Sequence, residues 1–253
     1  MCGGDRARPS PRALSSGVRP QKAPEKKHDE RITPDVLDNG HVSYLHVFDM
    51  DGTLITGTSA NLEIARACGT EPELLELERR FSAGEIDTRE FSLTLYGIWS
   101  DLTREHVDRA FAKSPFIAGI NDVCADIRAR GERSLVITMS SDFYARRLRE
   151  FGFDEVMASG YPEPPFAGPP VAEDILTPAD KVRIVEEVRD REGIPLPRCV
   201  AYGDSRSDGP LFQHLHHSVA VNADHHLSPL ARAEYRGGDL LEAYRQARLL
   251  LAA

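Results

Sequence analysis

Two pairs of aspartates and one serine stand directly behind short apolar runs, and their types and spacing point to one kind of chemistry. Asp49 and Asp51 follow residues 44–48 in Asp49-Met50-Asp51-Gly52-Thr53. Ser140, with Ser141 behind it, closes the run 134–139. Asp204 and Asp208 follow residues 199–202 in Gly203-Asp204-Ser205-Arg206-Ser207-Asp208. Such runs, short and rich in β-branched residues, fit buried parallel strands. The carboxyl ends of parallel strands share one sheet edge, so the three clusters would meet in one crevice. Four carboxylates near one point repel each other and resist desolvation unless a cation shares the site. Oxygen-only ligands suit a hard ion such as Mg²⁺, which takes a few carboxylates, waters and a substrate phosphate. Any single aspartate behind a strand is more simply a helix N-cap or a turn residue. Three clusters arriving in this order are harder to explain that way.

Around these residues strand-like and helical patterns alternate. A fourth apolar run covers 219–221, and helical periods cover 121–130, 144–151 and 179–191. Thr177-Pro178 reads as the cap and first turn of the last of these. Alternation of this kind predicts an α/β fold built on a doubly wound parallel sheet. Residues 58–116 interrupt it with helical patterns at 60–68, 72–81, 88–99 and 103–112, and no strand pattern. They predict an all-helical cap inserted after the first strand and laid over the strand ends. The domain organisation expected is a tail and lead-in over 1–40, an α/β core over 41–57 and 117–253, and a cap over 58–116.

Composition excludes several classes. The chain has 253 residues and a formal charge of −9, which argues against a nucleic-acid binder relying on phosphate contacts. No run of eighteen apolar residues exists, so no membrane span is expected. Cys2, Cys68, Cys124 and Cys199 form no CxxC pair, so neither a zinc knuckle nor a disulfide framework is expected. Arg and Pro stand where a secretory leader would be apolar, and a reduced, cytoplasmic protein is the expectation. Residues 1–30 hold seven Lys/Arg against four Asp/Glu, a net +3 that leaves −12 for the remainder. That stretch has too few apolar residues to offset the entropy of ordering and reads as disordered. Only five of the 31 basic residues are lysines, and beyond the tail only Lys113 and Lys181 remain.

The motif order resembles the haloacid dehalogenase superfamily of phosphohydrolases, in particular its phosphoserine-phosphatase-like branch, over residues 43–240. The first motif, DxDx(T/V), stands as Asp49-Met50-Asp51-Gly52-Thr53, and the fourth, GDxxxD, as Gly203 to Asp208. The second, a strand ending in Ser or Thr, stands as Val136 to Ser140, and Lys181 matches the third. The resemblance implies that Asp49 is the nucleophile and that Asp51 is the general acid and base. It implies Mg²⁺ on the Asp49 carboxylate, the Asp51 carbonyl and Asp204, with Asp208 orienting that shell and Lys181. Ser140, Ser141 and Ser207 would contact the phosphoryl oxygens. A lysine suits the place because a point-like ammonium reaches nucleophile and phosphate together, where the planar guanidinium demands its own geometry.

Asp51 argues against the dehalogenase and phosphonate-cleaving chemistries of the superfamily, which lack that acid. The match departs from phosphoserine phosphatase in the cap. Thr58 stands where that enzyme has the glutamate facing its substrate, and Leu93 falls where it has an arginine. Phosphoserine is therefore expected to be a poor substrate. The expected activity is Mg²⁺-dependent hydrolysis of another small phosphorylated metabolite, without nucleic acid or membrane as partner. The competing reading is a phosphoprotein phosphatase or signalling protein recruited through the basic tail. The Pro-rich segment 161–170 reads as a surface loop in preference to a pocket rim, and the histidines of 214–226 as surface residues.

Overall fold

The computed structural model describes residues 44–252. The tail reading of residues 1–40, with its basic stretch, falls outside the described residues. β1 (Leu45–Phe48) leads into α1 (Ala60–Cys68), α2 (Glu71–Ser82), α3 (Thr88–Ile98) and α4 (Arg104–Lys113). There follow α5 (Ile120–Ala129), β2 (Arg133–Ser141), α6 (Asp142–Ala145), β3 (Glu155–Ser159) and α7 (Pro178–Glu192). The chain continues through β4 (Cys199–Gly203), α8 (Gly209–His214), β5 (His217–Val221), β6 (Ala233–Tyr235) and α9 (Leu240–Leu251). None of the described helices is long and apolar enough to cross a membrane.

The six strands form one parallel sheet in the order β3-β2-β1-β4-β5-β6. All of β1 is buried, because successive side chains point to opposite faces and each face is covered. Leu45 and Val47 pack with Ile184 and Val185 of α7 and Phe212 of α8. Phe48 belongs to the opposite cluster, with Val123 and Ile127 of α5 and Ala243 of α9. Burying one such side chain contributes about 1.5–3 kcal/mol. From central β1 the chain winds out to β3, then returns to place β4 on the other flank of β1. That reversal opens a crevice at the carboxyl ends of β1 and β4. The Asp49 N–H donates to the Tyr202 carbonyl at 2.9 Å, which carries the β1–β4 ladder one residue further, to Asp49 itself.

The four helices after β1 fold against one another, α1 on α4 and α2 on α3. Ile64, Leu77, Leu95, Trp99 and Phe111 are buried among them in the same apolar cluster as Phe48 and Met50. Side-chain caps set the starts: Ser59 accepts from the Leu62 N–H, and Asp87 forms a capping box with Glu90. The two crossings between these helices and the sheet run side by side. Thr56 N–H donates to the Pro115 carbonyl at 3.0 Å, and Ile117 N–H to the Leu54 carbonyl at 2.9 Å.

Four elements escaped the sequence reading. β3 has a half-exposed pattern, β6 is only three residues long, and both are flanking strands without a continuous apolar run. The short α8 and the C-terminal α9 were not read either. The helix expected over 144–151 is instead α6 followed by a 3-10 turn over Arg146–Phe151, in which Leu148 alone is buried. The segment 161–170 makes no strand, as its prolines require. It is more than a surface loop, however. The Tyr161 hydroxyl donates to the Ser92 carbonyl of α3 at 3.1 Å, and the Phe166 ring packs on Tyr96.

Candidate active site

The turn after β1 is shaped around Asp204. The Met50 carbonyl accepts from the N–H groups of Leu54 and Ile55, and Gly52 takes φ +83°. A Cβ at Gly52 would stand 1.9 Å from Asp204 Oδ2, so only glycine satisfies both the left-handed backbone and the close approach. Asp204 Oδ1 is buried without a hydrogen-bond partner. Burial and the neighbouring Asp208 charge push the Asp204 carboxyl up to about 7.

Lys181 sits at the end of the first turn of α7, whose start is fixed by Thr177 and Asp180 in a capping box. The lysine is 1% exposed. Its Nζ donates to Asp49 Oδ1 and to Asp208 Oδ1, at 2.6 Å each. Burial opposes its charge, but the two carboxylates outweigh that and hold its pKa above the ordinary lysine value. Asp208 Oδ2 accepts the backbone N–H groups of Asp204 and Ser205, so both Asp208 oxygens are already engaged. Burial raises the Asp49 carboxyl, Lys181 lowers it, and the surrounding carboxylates raise it again; the upward effects win.

One oxygen from each of Asp49, Asp204 and Asp208 lies within 4.8 Å of the others. Three clustered carboxylates, one with a buried unpartnered oxygen, are an all-oxygen donor set that fits a hard divalent cation such as Mg²⁺. The Asp51 side chain stands apart from this group. Its Oδ1 accepts the Ala60 N–H at 2.6 Å, at the start of α1. Its Oδ2 accepts the hydroxyls of Ser140 at 2.7 Å and Thr138 at 3.2 Å. Burial raises the Asp51 carboxyl, and these three hydrogen bonds partly offset the rise.

Asp49, Asp51, Ser140, Ser141 and Ser207 line one cavity of about 640 Å³, which residues of α2 and α3 also line. Lys181 and Asp208 are buried behind Asp49. The Ser140 hydroxyl proton goes to Asp51, so contact with a phosphoryl oxygen needs its rotation; the Ser141 hydroxyl is buried and unpartnered. Thr58 does not line the cavity: its hydroxyl donates to Glu63 Oε1 at 2.9 Å, and Glu63 pairs with Arg66. Leu93 is 43% exposed and does not line it either. Ser59, Asn61 and Ser92 line it from those helices instead.

Sequence reasoning assigned no role to Thr138 or Asp224, both of which line the cavity. The signal for Thr138 was its position two residues before Ser140, on the same face of a strand. Asp224 ties the end of β5 to the Gly203–Asp208 turn, its N–H donating to the Asp204 carbonyl at 2.8 Å. Of the histidines, His214 bonds Glu186 and His225 packs on His226. His226 departs from the surface reading by lining the cavity rim beside Arg206.

Comparison with known proteins agrees with this geometry. The chain is 25% identical over 218 residues to a phosphoserine phosphatase of Archaeoglobus fulgidus, covering 81% of this chain and 62% of that one. It is 26% identical over 205 residues to a phosphoserine phosphatase of Idiomarina loihiensis, covering 80% and 92% respectively. Its fold matches that of a substrate-bound phosphoserine phosphatase complex with a TM-score of 0.70 and 24% identity, over 81% of this chain and 98% of the other. The family model of haloacid dehalogenase-like hydrolases matches residues 46–213, a span holding Asp49, Asp51, Ser140, Lys181, Asp204 and Asp208. The chain belongs to the haloacid dehalogenase-like hydrolase family.

Proposed function

We propose that this hydrolase is a Mg²⁺-dependent phosphatase that cleaves a small phosphomonoester through an aspartyl-phosphate on Asp49. The observation that carries the reading is the division of labour among the carboxylates. Lys181 holds Asp49 and Asp208 together, while Asp51 is turned away toward the α1 N-terminus on three hydrogen bonds of its own. Two carboxyl groups in such different surroundings suit two roles.

Asp49 attacks phosphorus and forms the acyl phosphate as the ester P–O bond breaks. Asp51 gives its proton to the departing oxygen, so the leaving group exits as a neutral alcohol. Asp51 then takes a proton from the water that attacks the phospho-enzyme, releasing inorganic phosphate and restoring Asp49. Lys181 stabilises the phosphoryl charge as a buried cation and keeps Asp49 oriented. Ser141 and Ser207 supply donors from the cavity wall. Mg²⁺, held by the Asp49 carboxylate, the Asp51 carbonyl and Asp204 with Asp208 behind them, would neutralise charge on the phosphoryl oxygens.

The walled cavity supports a small substrate over a phosphoprotein, since residues of α2 and α3 line it together with the carboxylates. Residues 58–116 act in this reading as a lid that excludes water and selects the leaving group. Phosphoserine is a poor substrate in it. Glu63 is spent on Arg66, and no basic residue of α1–α3 lines the cavity to take a carboxylate. Replacing Asp49 with Asn should abolish both turnover and phospho-enzyme formation from p-nitrophenyl phosphate. Retained turnover would sink the mechanism, and undiminished activity in EDTA would sink its metal dependence.

A further inference from the structure

The cavity wall supplied by α1–α3 carries one charge and no counter-charge. Glu78, on α2, lines the cavity partly buried, and among the described residues it has neither a hydrogen bond nor an ion pair. Three other glutamates of that helical segment are spent: Glu63 on Arg66, Glu76 on Arg79, and Glu90 on its helix cap. Asn61 of α1 lines the same cavity, and its carbonyl oxygen is buried and also lacks a partner. Phe81 and Phe91 add aromatic surface to that wall, packed ring to ring at 5.3 Å.

A half-buried carboxylate, an unsatisfied acceptor and aromatic surface together make a receptor for a cation. A neutral polyol would leave the carboxylate without a counter-charge, and an anionic tail would be repelled by it. The carboxylate also senses Asp51: burial and the Asp51 charge both push Glu78 above the usual range. The one cationic side chain lining the cavity among the described residues is Arg206, in the turn that carries Ser207 and Asp208 and bonded to His226. It belongs to the turn after β4, not to the wall supplied by α1–α3.

We propose that the leaving alcohol carries an ammonium group and no carboxylate, and that Glu78 with Asn61 is the receptor for that ammonium. The proposal rests on the phosphatase reading above. It goes further by naming the substrate class: phosphate esters of amino alcohols.

The test compares matched aminoalkyl and hydroxyalkyl phosphates of increasing chain length, with p-nitrophenyl phosphate as a neutral reference. The wild type should prefer the amine of the best matched pair in kcat/KM by about thirtyfold, the ratio that about 2 kcal/mol of charge-assisted hydrogen bonding produces. Glu78→Gln should collapse that ratio toward one, and Glu76→Gln, on the exposed side of α2, should keep it. A wild-type ratio near one, or an unchanged ratio in Glu78→Gln, overturns the proposal. So does a higher kcat/KM for phosphoserine than for 2-aminoethyl phosphate. Absence of turnover on every ester would instead overturn the phosphatase reading. Calorimetric binding to Asp49→Asn protein then decides the ammonium receptor by itself: tighter binding of the amine supports it, and equal binding of each pair refutes it.

Discussion

Replacing Lys181 with Met removes one charge and three donors while nearly keeping the length and bulk of the side chain. Two buried contacts of 2.6 Å are lost, and Asp49 and Asp208 are left facing each other without a cation. Breaking a buried ion pair by removing one partner costs about 3–5 kcal/mol. Asp208 keeps its two backbone donors, and Asp49, already held above the usual carboxylate range, relieves part of the strain by taking up a proton. The deficit should therefore approach 3–5 kcal/mol at pH 8 and shrink as the pH falls toward 5, where protonation is easier. Lys181 itself adds no slope there, because its folded-state pKa is raised. The stability it contributes is fully present below the unfolded lysine value and fades only as pH climbs beyond it. Urea unfolding in EDTA at both pH values measures the deficit without interference from bound metal. Turnover should fall by about a hundred- to a thousandfold, as for loss of one group aimed at transition-state charge. Lys181→Arg separates charge from shape: it keeps most of the stability but loses comparable activity, because a planar fork cannot reproduce two contacts made by one nitrogen. A Met variant within about 1 kcal/mol of the wild type at pH 8, against the expected cost, would refute the reasoning. An Arg variant with full activity would refute the argument from shape.

Three further outcomes follow from other residues. Gly52→Ala forces Asp204 aside, since the new Cβ would meet its Oδ2 at 1.9 Å; Mg²⁺ affinity by calorimetry should fall about tenfold or more, and unchanged affinity would show that Asp204 is not so constrained. Thr138→Val removes a donor to Asp51 Oδ2 and so raises that carboxyl further, because the lost hydrogen bond favoured the charged form. Asp51 then becomes a weaker acid and a stronger acceptor of the water proton, and rapid-quench experiments should show less phospho-enzyme at steady state; an unchanged level counts against its acid–base role. Buried His46 is held neutral, its pKa lowered chiefly by burial. Its 2.9 Å contact to Glu132 is thus a hydrogen bond from Nε2–H, and Arg248 provides the Glu132 counter-charge. The unfolded chain therefore takes up a proton that the folded chain refuses. Stability due to His46 is intact above about pH 6.5 and is lost below it by at most about 1.4 kcal/mol per pH unit. His46→Gln should flatten the unfolding profile in that window, and an identical slope would mean that His46 is charged in the fold.

The clustered carboxylates were legible because strands leave few choices, whereas Lys181, on helix α7, stood out through the motif order of the resemblance and the scarcity of lysine. A strand has two faces and one carboxyl end, so an aspartate behind a buried apolar run can only be at the crevice edge. Thr138 and Ser140, two residues apart, both reach Asp51 for the same reason. Helices give no such guarantee. Each residue turns the side chain by about 100° around the axis, so an error of one position moves it from cavity to solvent. Ser92 and Leu93 show the consequence: the first lines the cavity, and the second is exposed. The family position for an arginine was carried onto Leu93 by counting, and counting cannot fix the rotation of α3. Thr58 failed differently, because a hydroxyl one residue before an N-cap was captured by Glu63 on the new helix. The informative pattern in α2 is set by its buried leucines. Leu74 and Leu77 define the inward stripe, and Glu78 follows Leu74 by four residues, which puts it on that same face. A glutamate beside the apolar stripe of a helix is costly unless something polar lies beneath it. Beneath this one lies the cavity that Asp49 and Asp51 also line. For leaving-group choice, therefore, the residue to seek in a helical insertion is the charge that breaks its amphipathic pattern, not the residue at a counted distance from the nucleophile.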